Sequence, residues 1–111
     1  MVDPIPFRRP VNWANMRADE AERIIKERAA DSSKVIIIGH PDERCEERDI
    51  SDVEVFQILL GGVVTDPPRL DGVDWVAVIS RRIRGTRDAG VVTLILRDDK
   101  LIVKTVMWMD Q

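Results

Sequence analysis

The chain has 111 residues, of which 44% are hydrophobic, and its 17 basic and 20 acidic residues give a formal net charge of −3. This length suits one small domain with one core, and the apolar content excludes a mainly disordered chain. No apolar run reaches the roughly 18 residues that a membrane helix needs, and no signal peptide is recognisable, so we expect a soluble, cytoplasmic protein. With one histidine and one cysteine, the chain lacks a ligand set for zinc, and we expect no metal or other cofactor.

The charge is unevenly distributed along the chain. Residues 1–66 hold 9 basic and 14 acidic groups (net −5), whereas residues 67–111 hold 8 and 6 (net +2). The negative total weighs against nucleic-acid binding, because nucleic-acid binders are usually basic. The second part nevertheless contains a basic patch, formed by Arg81, Arg82, Arg84 and Arg87. Such a patch is suited to a phosphate backbone, although it is more often a set of solvated strand ends.

The first half of the chain predicts two helices and one strand before residue 50. Residues 1–11 hold three prolines and no periodic pattern, so we expect an irregular arm in front of a single domain, residues 12–111. From Asn12 to about Asp31, apolar residues recur at helical spacing, which predicts an amphipathic helix. The β-branched run 35–38 predicts a buried strand. His40 then occupies an N-cap position, and the proline and acidic residues after it favour a short helix.

The second half predicts one further helix followed by strands. Ser51 and Glu54 match a capping box, which starts a helix near Asp52. We expect this helix to turn Phe56, Leu59 and Leu60 toward the core and to end at Gly61-Gly62, where glycine readily takes the left-handed conformation. Four β-rich runs follow, at residues 63–65, 75–83, 91–97 and 100–108.

These elements predict an α+β fold with helices packed on an antiparallel sheet. The short Asp98-Asp99 connection favours a hairpin between the last two strands. Apolar residues occur on both faces of the strands. We therefore expect helices to cover one face, while the other face contacts a partner or forms a homodimer with a second copy. The three tryptophans stack on bases in one interpretation and, as is more common, pack in the core in the other.

The only histidine begins a group of residues at helical spacing. His40, Arg44 and Arg48 are four residues apart, so a helix would hold them within about 80° of one face. A histidine beside two guanidinium groups is suited to bind or process a phosphate, because it moves protons near neutral pH and arginine stabilises negative charge. In the structural alternative, His40 caps the strand-to-helix turn and the arginines pair with acidic residues of the same segment.

The order of several motifs resembles a known family. These motifs are the 35–40 run that ends in Gly39-His40, the two arginines 44 and 48, Ile50-Ser51, the 59–64 helix exit and the closing hairpin. Over roughly residues 34–108 they resemble the bacterial domain-of-unknown-function family 4258, which is similar to small toxins of the RelE and ParE superfamily. Many of those toxins are ribonucleases paired with an antitoxin. The resemblance implies a curved antiparallel sheet packed against helices, and metal-independent RNA cleavage through attack by a ribose 2′-hydroxyl.

The resemblance also implies roles and partners. His40 would act as acid or base, with Arg44 and Arg48 stabilising the reacting phosphate. The match does not reach the basic patch; from their place at the end of a strand, we expect Arg81, Arg82 and Arg84 to hold the substrate phosphates. The partners would be an antitoxin and either free RNA or the ribosome. The alternative is a catalytically inactive protein-interaction module of the same fold, which the acidic net charge and an uncovered sheet face favour.

Overall fold

The computed structural model describes residues 13–38, 50–85 and 87–109, which form two α-helices and a mixed sheet of six strands. The elements in chain order are α1 Ala18–Ala29, a 3₁₀ turn Ser32–Lys34, β1 Val35–Ile37, α2 Asp52–Gly61, β2 Val63–Val64, β3 Arg69–Asp71, β4 Asp74–Arg84, β5 Arg87–Ile95 and β6 Leu101–Trp108. The predicted α+β class is confirmed. None of the helices in these ranges is long and apolar enough to cross a bilayer.

The sheet has the strand order β1-β6-β5-β4-β2, and β3 also pairs with β4. All neighbouring strands are antiparallel except β1, which pairs with β6 in parallel, with Val35 opposite Leu101. The prediction of a purely antiparallel sheet is therefore wrong at this edge. Parallel neighbours need a long connection, and most of the chain lies between β1 and β6, a relation that local sequence patterns do not reveal.

Both helices pack on the same face of the sheet. Alternate residues of β4, namely Trp75, Ala77 and Ile79, are buried there together with Ile24 and Ile25 of α1. The N-terminal helix is confirmed, but it begins at Ala18 and not near Asn12. The residues before it are held by tryptophans instead: Trp13 Nε1 donates to Val73 O at 2.9 Å, and Trp75 Nε1 donates to Trp13 O at 2.7 Å. Trp75 thus follows the core interpretation.

Helix α2 begins with the predicted capping box. The Ser51 hydroxyl accepts the Glu54 N–H at 3.2 Å, and the Glu54 carboxylate accepts the Ser51 N–H at 3.0 Å. Val55, Ile58 and Leu59 face the core. Leu60 was expected there too, but it is 46% exposed. The periodicity of this helix leaves Leu60 beyond the edge of the buried stripe.

Helix α2 ends at Gly61, as predicted, but the conformation of the next residue differs from the prediction. Gly62 follows the helix with φ −85° and ψ −174°, which is extended backbone and not the left-handed conformation. Only glycine fits at this position, because a Cβ would lie 2.6 Å from Ile58 O and 2.7 Å from Ser80 O. Close contact between α2 and β4, and not a left-handed turn, explains the residue at this position.

The four predicted strands of the second half are confirmed, and the structure adds one more. The pattern missed β3, whose three exposed residues alternate charged and apolar side chains. The chain then turns back into β4 at Gly72, which has φ +69°. Strand β1 was expected to be buried, but it lies at the sheet edge and Ile36 is 41% exposed. Extra residues at Ile83 and Lys104 shift the register of β4 and β6 and form bulges, which increase local twist.

The sheet face opposite the helices is apolar and is called the open face here. Neither helix packs on it, and its side chains lie outside the buried core cluster. By register it comprises Val76, Val78, Val92, Leu94, Ile102 and Met107. Lys104 Nζ lies 3.4 Å from Asp71 Oδ2, so this ion pair joins β6 to β3 across the two strands between them.

Candidate functional site

The predicted catalytic residues His40, Arg44 and Arg48 lie outside the described residues. The residues on either side of this segment are described: Ile38 donates its N–H to Val103 O at 3.3 Å, and Ile50 is buried in the core. The strand directions show toward which end of the sheet the chain runs as it passes Ile38. β1, β4 and β6 run in the same direction, so their carboxyl ends point to the same end of the sheet. The end of β4, the start of β5 and the end of β6 are together called the arginine end.

The arginine end lies ahead of the point where the chain leaves β1. Ile37 shares a row with Val103, and that row crosses β4 at Ala77. Arg81 stands four residues further along β4, a distance of about 13 Å at the usual strand rise. The chain thus enters the segment with the predicted catalytic residues while running toward the predicted phosphate-binding arginines.

Arg81 contacts the carboxyl end of α2. Its Nη1 donates to Gln57 O at 3.1 Å, and the guanidinium lies beside Gly61. The last turn of α2 contains no basic residue of its own. A cation from β4 therefore sits at the negative end of the helix dipole, where it is stabilising. Arg81 is exposed, so it has a structural contact and also faces solvent.

Arg82 and Arg84 differ from Arg81 in their surroundings. Arg82 points to the open face, where its Nε lies 3.2 Å from Asp88 Oδ1. Both side chains of this pair are about half exposed, so the pair contributes little to stability and screens only part of the positive charge. Arg84 is the last residue of β4, and its side chain lies outside the described part of the structure. The three predicted phosphate ligands therefore do not share one face.

A different pair completes the helix-side face of the arginine end. The guanidinium carbon of Arg87 lies 3.9 Å from the centroid of the Trp108 ring. Arg87 belongs to the basic patch seen in the sequence, but its contact with Trp108 was not predicted. The contact follows from register, because Trp108 pairs with Ala89 and Arg87 is two residues away on the same face.

The helix-side face of this end combines two cations, Arg81 and Arg87, with the indole of Trp108. Arg81, Ala89 and Trp108 are register partners across three neighbouring strands, and Ala89 is small and fully buried. Two strand spacings separate Arg81 from Trp108, about 10 Å. Arg81 and Arg87 can bind a phosphate, and Arg87 with Trp108 can stack on a planar group. A general acid or base has to come from another residue. The described residues also contain no group of three or more side chains suited to hold a metal ion.

A second candidate site is an open cavity of about 660 Å³ between α1 and β2, lined in part by Asn15, Glu22 and Pro67. Glu22 Oε1 accepts the Val64 N–H at 2.9 Å, and Oε2 lies 3.1 Å from Lys26 Nζ. The Val64 N–H, followed by Lys26, lowers the pKa of the Glu22 carboxyl below its ordinary value. Glu22 is therefore ionised at neutral pH and already has partners, which argues against a role as general acid.

The lowered pKa of Glu22 predicts a pH-dependent contribution to stability. The ionised carboxylate stabilises the folded protein above the ordinary pKa, and this stabilisation is lost as the pH falls through the lowered value. We expect Glu22→Gln to reduce the free energy of unfolding by about 1 kcal/mol at neutral pH and to have a much smaller effect near pH 3. Urea denaturation at both pH values measures this. Glu27→Gln, at an exposed ion pair of α1, is the control, and an equal pH dependence in both variants would contradict the prediction.

No family model, curated protein or solved structure matches the chain. Its function must therefore be inferred from its own residues and their geometry.

Proposed function

We propose that the chain is a toxin-like RNA-binding protein that cleaves RNA without a metal ion and is held in check by an antitoxin. The observation that carries the proposal is the direction of β1. The chain leaves this strand toward the arginine end and continues into the segment that holds His40, Arg44 and Arg48. The resemblance to RelE-like and ParE-like toxins supports the same activity, and the α+β architecture is compatible with it.

In the proposed reaction, a base removes the proton of a ribose 2′-hydroxyl, and the resulting oxygen attacks the adjacent phosphate. An acid then protonates the leaving 5′-oxygen. His40 serves as one of these two groups, and Arg44 and Arg48 stabilise the negative charge that develops on the phosphate. Arg81, on the helix-side face of the arginine end, binds a neighbouring phosphate of the strand. The acidic first part of the chain limits non-specific attraction to RNA, which makes contacts at the arginine end more important.

The proposal predicts metal-independent cleavage that depends on His40. Purified protein should cleave labelled single-stranded RNA in EDTA; a separate reaction with ribosomes is run in magnesium, which ribosomes need to stay assembled. His40→Ala should reduce the rate by about a hundredfold or more, since a positioned acid or base contributes at least that much. Arg23→Ala, a change at a partly exposed ion pair of α1, is prepared in parallel as the control for contaminating nucleases. Cleavage at equal rates by wild type and His40→Ala would contradict the role of His40.

A second candidate function is a catalytically inactive protein-interaction module, and the open face favours it. Six apolar residues on that face have no helix of the described part packed against them. Apolar surface of this kind is typical of protein contacts, including contacts with a second copy of the same chain. Absence of RNA cleavage by the wild type, with and without ribosomes, would favour this second function.

A further inference from the structure

The contact between Arg87 and Trp108 joins two planar groups at the arginine end. Trp108 packs against the buried core, and the guanidinium carbon of Arg87 lies 3.9 Å from its ring centroid. That distance is the separation of stacked planar groups and is well inside the limit of about 6 Å for a cation–π contact. Arg87 itself is exposed. The indole therefore supports a guanidinium that reaches the protein surface.

A supported guanidinium has the properties of a binding platform for a base. Arginine stacks on aromatic faces and also donates hydrogen bonds from its edge. Single-stranded nucleic acids are bound by stacking of their exposed bases on aromatic rings and on guanidinium planes. In a duplex the bases are already stacked on one another and cannot reach such a platform. A platform of this kind therefore favours single strands over duplexes.

A second cation, Arg81, stands near the stack and can bind a phosphate. Arg81 stands in the same row as Trp108, about 10 Å away across the small residue Ala89. No large side chain of that row separates the two positions. A nucleotide whose base contacts Arg87 can therefore direct its phosphate, or that of the next nucleotide, toward Arg81.

We propose that the Arg87–Trp108 stack accepts an unpaired base of single-stranded RNA while Arg81 binds an adjacent phosphate. This inference rests on the proposed RNA-binding function and specifies the class of RNA. A matched pair elsewhere in the molecule provides the control. Arg97 lies over Trp13, with 5.5 Å between the guanidinium carbon and the ring centroid, at the opposite end of the sheet.

The test compares three probes by fluorescence anisotropy and tryptophan quenching at one fixed salt concentration. The probes are a labelled oligoadenylate, a labelled RNA duplex of the same length, and inorganic polyphosphate as competitor. We expect the wild type to bind the oligoadenylate in preference to the duplex, with quenching of tryptophan emission. Arg87→Lys keeps the positive charge but lacks the planar guanidinium group on which a base would stack. We expect it to weaken oligoadenylate binding by roughly tenfold. Arg97→Lys should leave it unchanged.

The possible results separate this inference from the proposed function. If the wild type binds oligoadenylate and Arg87→Lys binds it equally well, the stacking platform is wrong and RNA binding stands. Equal affinity for duplex and single strand, or full competition by polyphosphate with no tryptophan quenching, also overturns the platform alone. If the wild type binds neither RNA, both the platform and the RNA-binding function are wrong. Urea denaturation of each variant confirms that Arg87→Lys is as stable as Arg97→Lys.

Discussion

Replacing Gly62 with alanine is expected to destabilise the protein by about 3 kcal/mol, near the upper end for inserting a methyl group into packed surroundings. The added Cβ would lie 2.6 Å from Ile58 O, 2.7 Å from Ser80 O and 2.9 Å from Ile79 Cγ1. Two of these atoms are backbone oxygens, so relief requires α2 to move away from β4. The backbone angles of Gly62 suit any residue, and the expected loss is therefore steric and not conformational.

Gly61→Ala is the matched control one residue earlier. Its Cβ would lie 2.6 Å from Arg81 Nη1, which is the end of a flexible side chain. Alanine at a helical position gains up to about 1 kcal/mol, while displacement of Arg81 from Gln57 O loses a similar amount. We expect the free energy of unfolding of Gly61→Ala to stay within about 1 kcal/mol of wild type. Urea denaturation compares the two variants. A Gly62→Ala protein as stable as Gly61→Ala would show that α2 is not held closely against β4.

Arg28→Met is the second large change that we expect, with a loss of about 2–3 kcal/mol in the free energy of unfolding. Nη1 of Arg28 donates to Leu96 O at 2.7 Å and to Lys100 O at 2.9 Å, and Nη2 donates to Asp98 O at 3.0 Å. One guanidinium from α1 thus binds three carbonyls of the β5–β6 turn. Burial lowers the pKa of Arg28 from its ordinary value, but the group remains charged in the physiological range.

Two other arginine variants provide the comparison. Arg28→Lys retains the charge, but its ammonium lacks the planar fork, so we expect a stability between those of wild type and Arg28→Met. Arg23→Met removes two partly exposed ion pairs of the same helix, Arg23–Glu27 at 2.8 Å and Arg23–Glu20 at 3.9 Å, and should cost less than about 1 kcal/mol. If Arg28→Met and Arg23→Met unfold at the same urea concentration, the three carbonyl contacts contribute no more than a surface pair.

The elements predicted from local patterns are largely those found in the structure. The capping box at Ser51 and the β-branched runs of β4 and β6 carry their signal within a few residues, so the sequence alone locates them. The parallel pairing of β1 depends on a partner far along the chain. Strand β3 is three residues long and exposed, and it exists because the chain folds back along β4 at Gly72. The parallel pairing has no local signature, whereas the glycine that opens the two-residue loop between Asp71 and Asp74 is a local hairpin signal that the strand prediction did not use.

The candidate site, like the fold, could be predicted from the sequence only in part. The sequence shows that the arginines of the basic patch are close together along the chain, but not which face each one reaches. Alternation along β4 sends Arg81 toward α2 and Arg82 to the open face, and the partner of Arg81 is the backbone carbonyl of Gln57. A backbone carbonyl gives no signal in the sequence. The roles of His40, Arg44 and Arg48 stay predictions.

The hydrogen bond between Glu22 and Val64 also affects the tendency of the protein to aggregate through the edge of its sheet. β2 is the last strand at its side of the sheet, and an edge strand with unpaired N–H groups is a template for aggregation. The Glu22 carboxylate occupies the Val64 N–H, and the chain continues through Pro67 and Pro68, which have no N–H to offer. An incoming strand would have to displace a charged side chain and would then meet two residues that cannot donate. This border of the sheet is thereby protected against uncontrolled polymerisation.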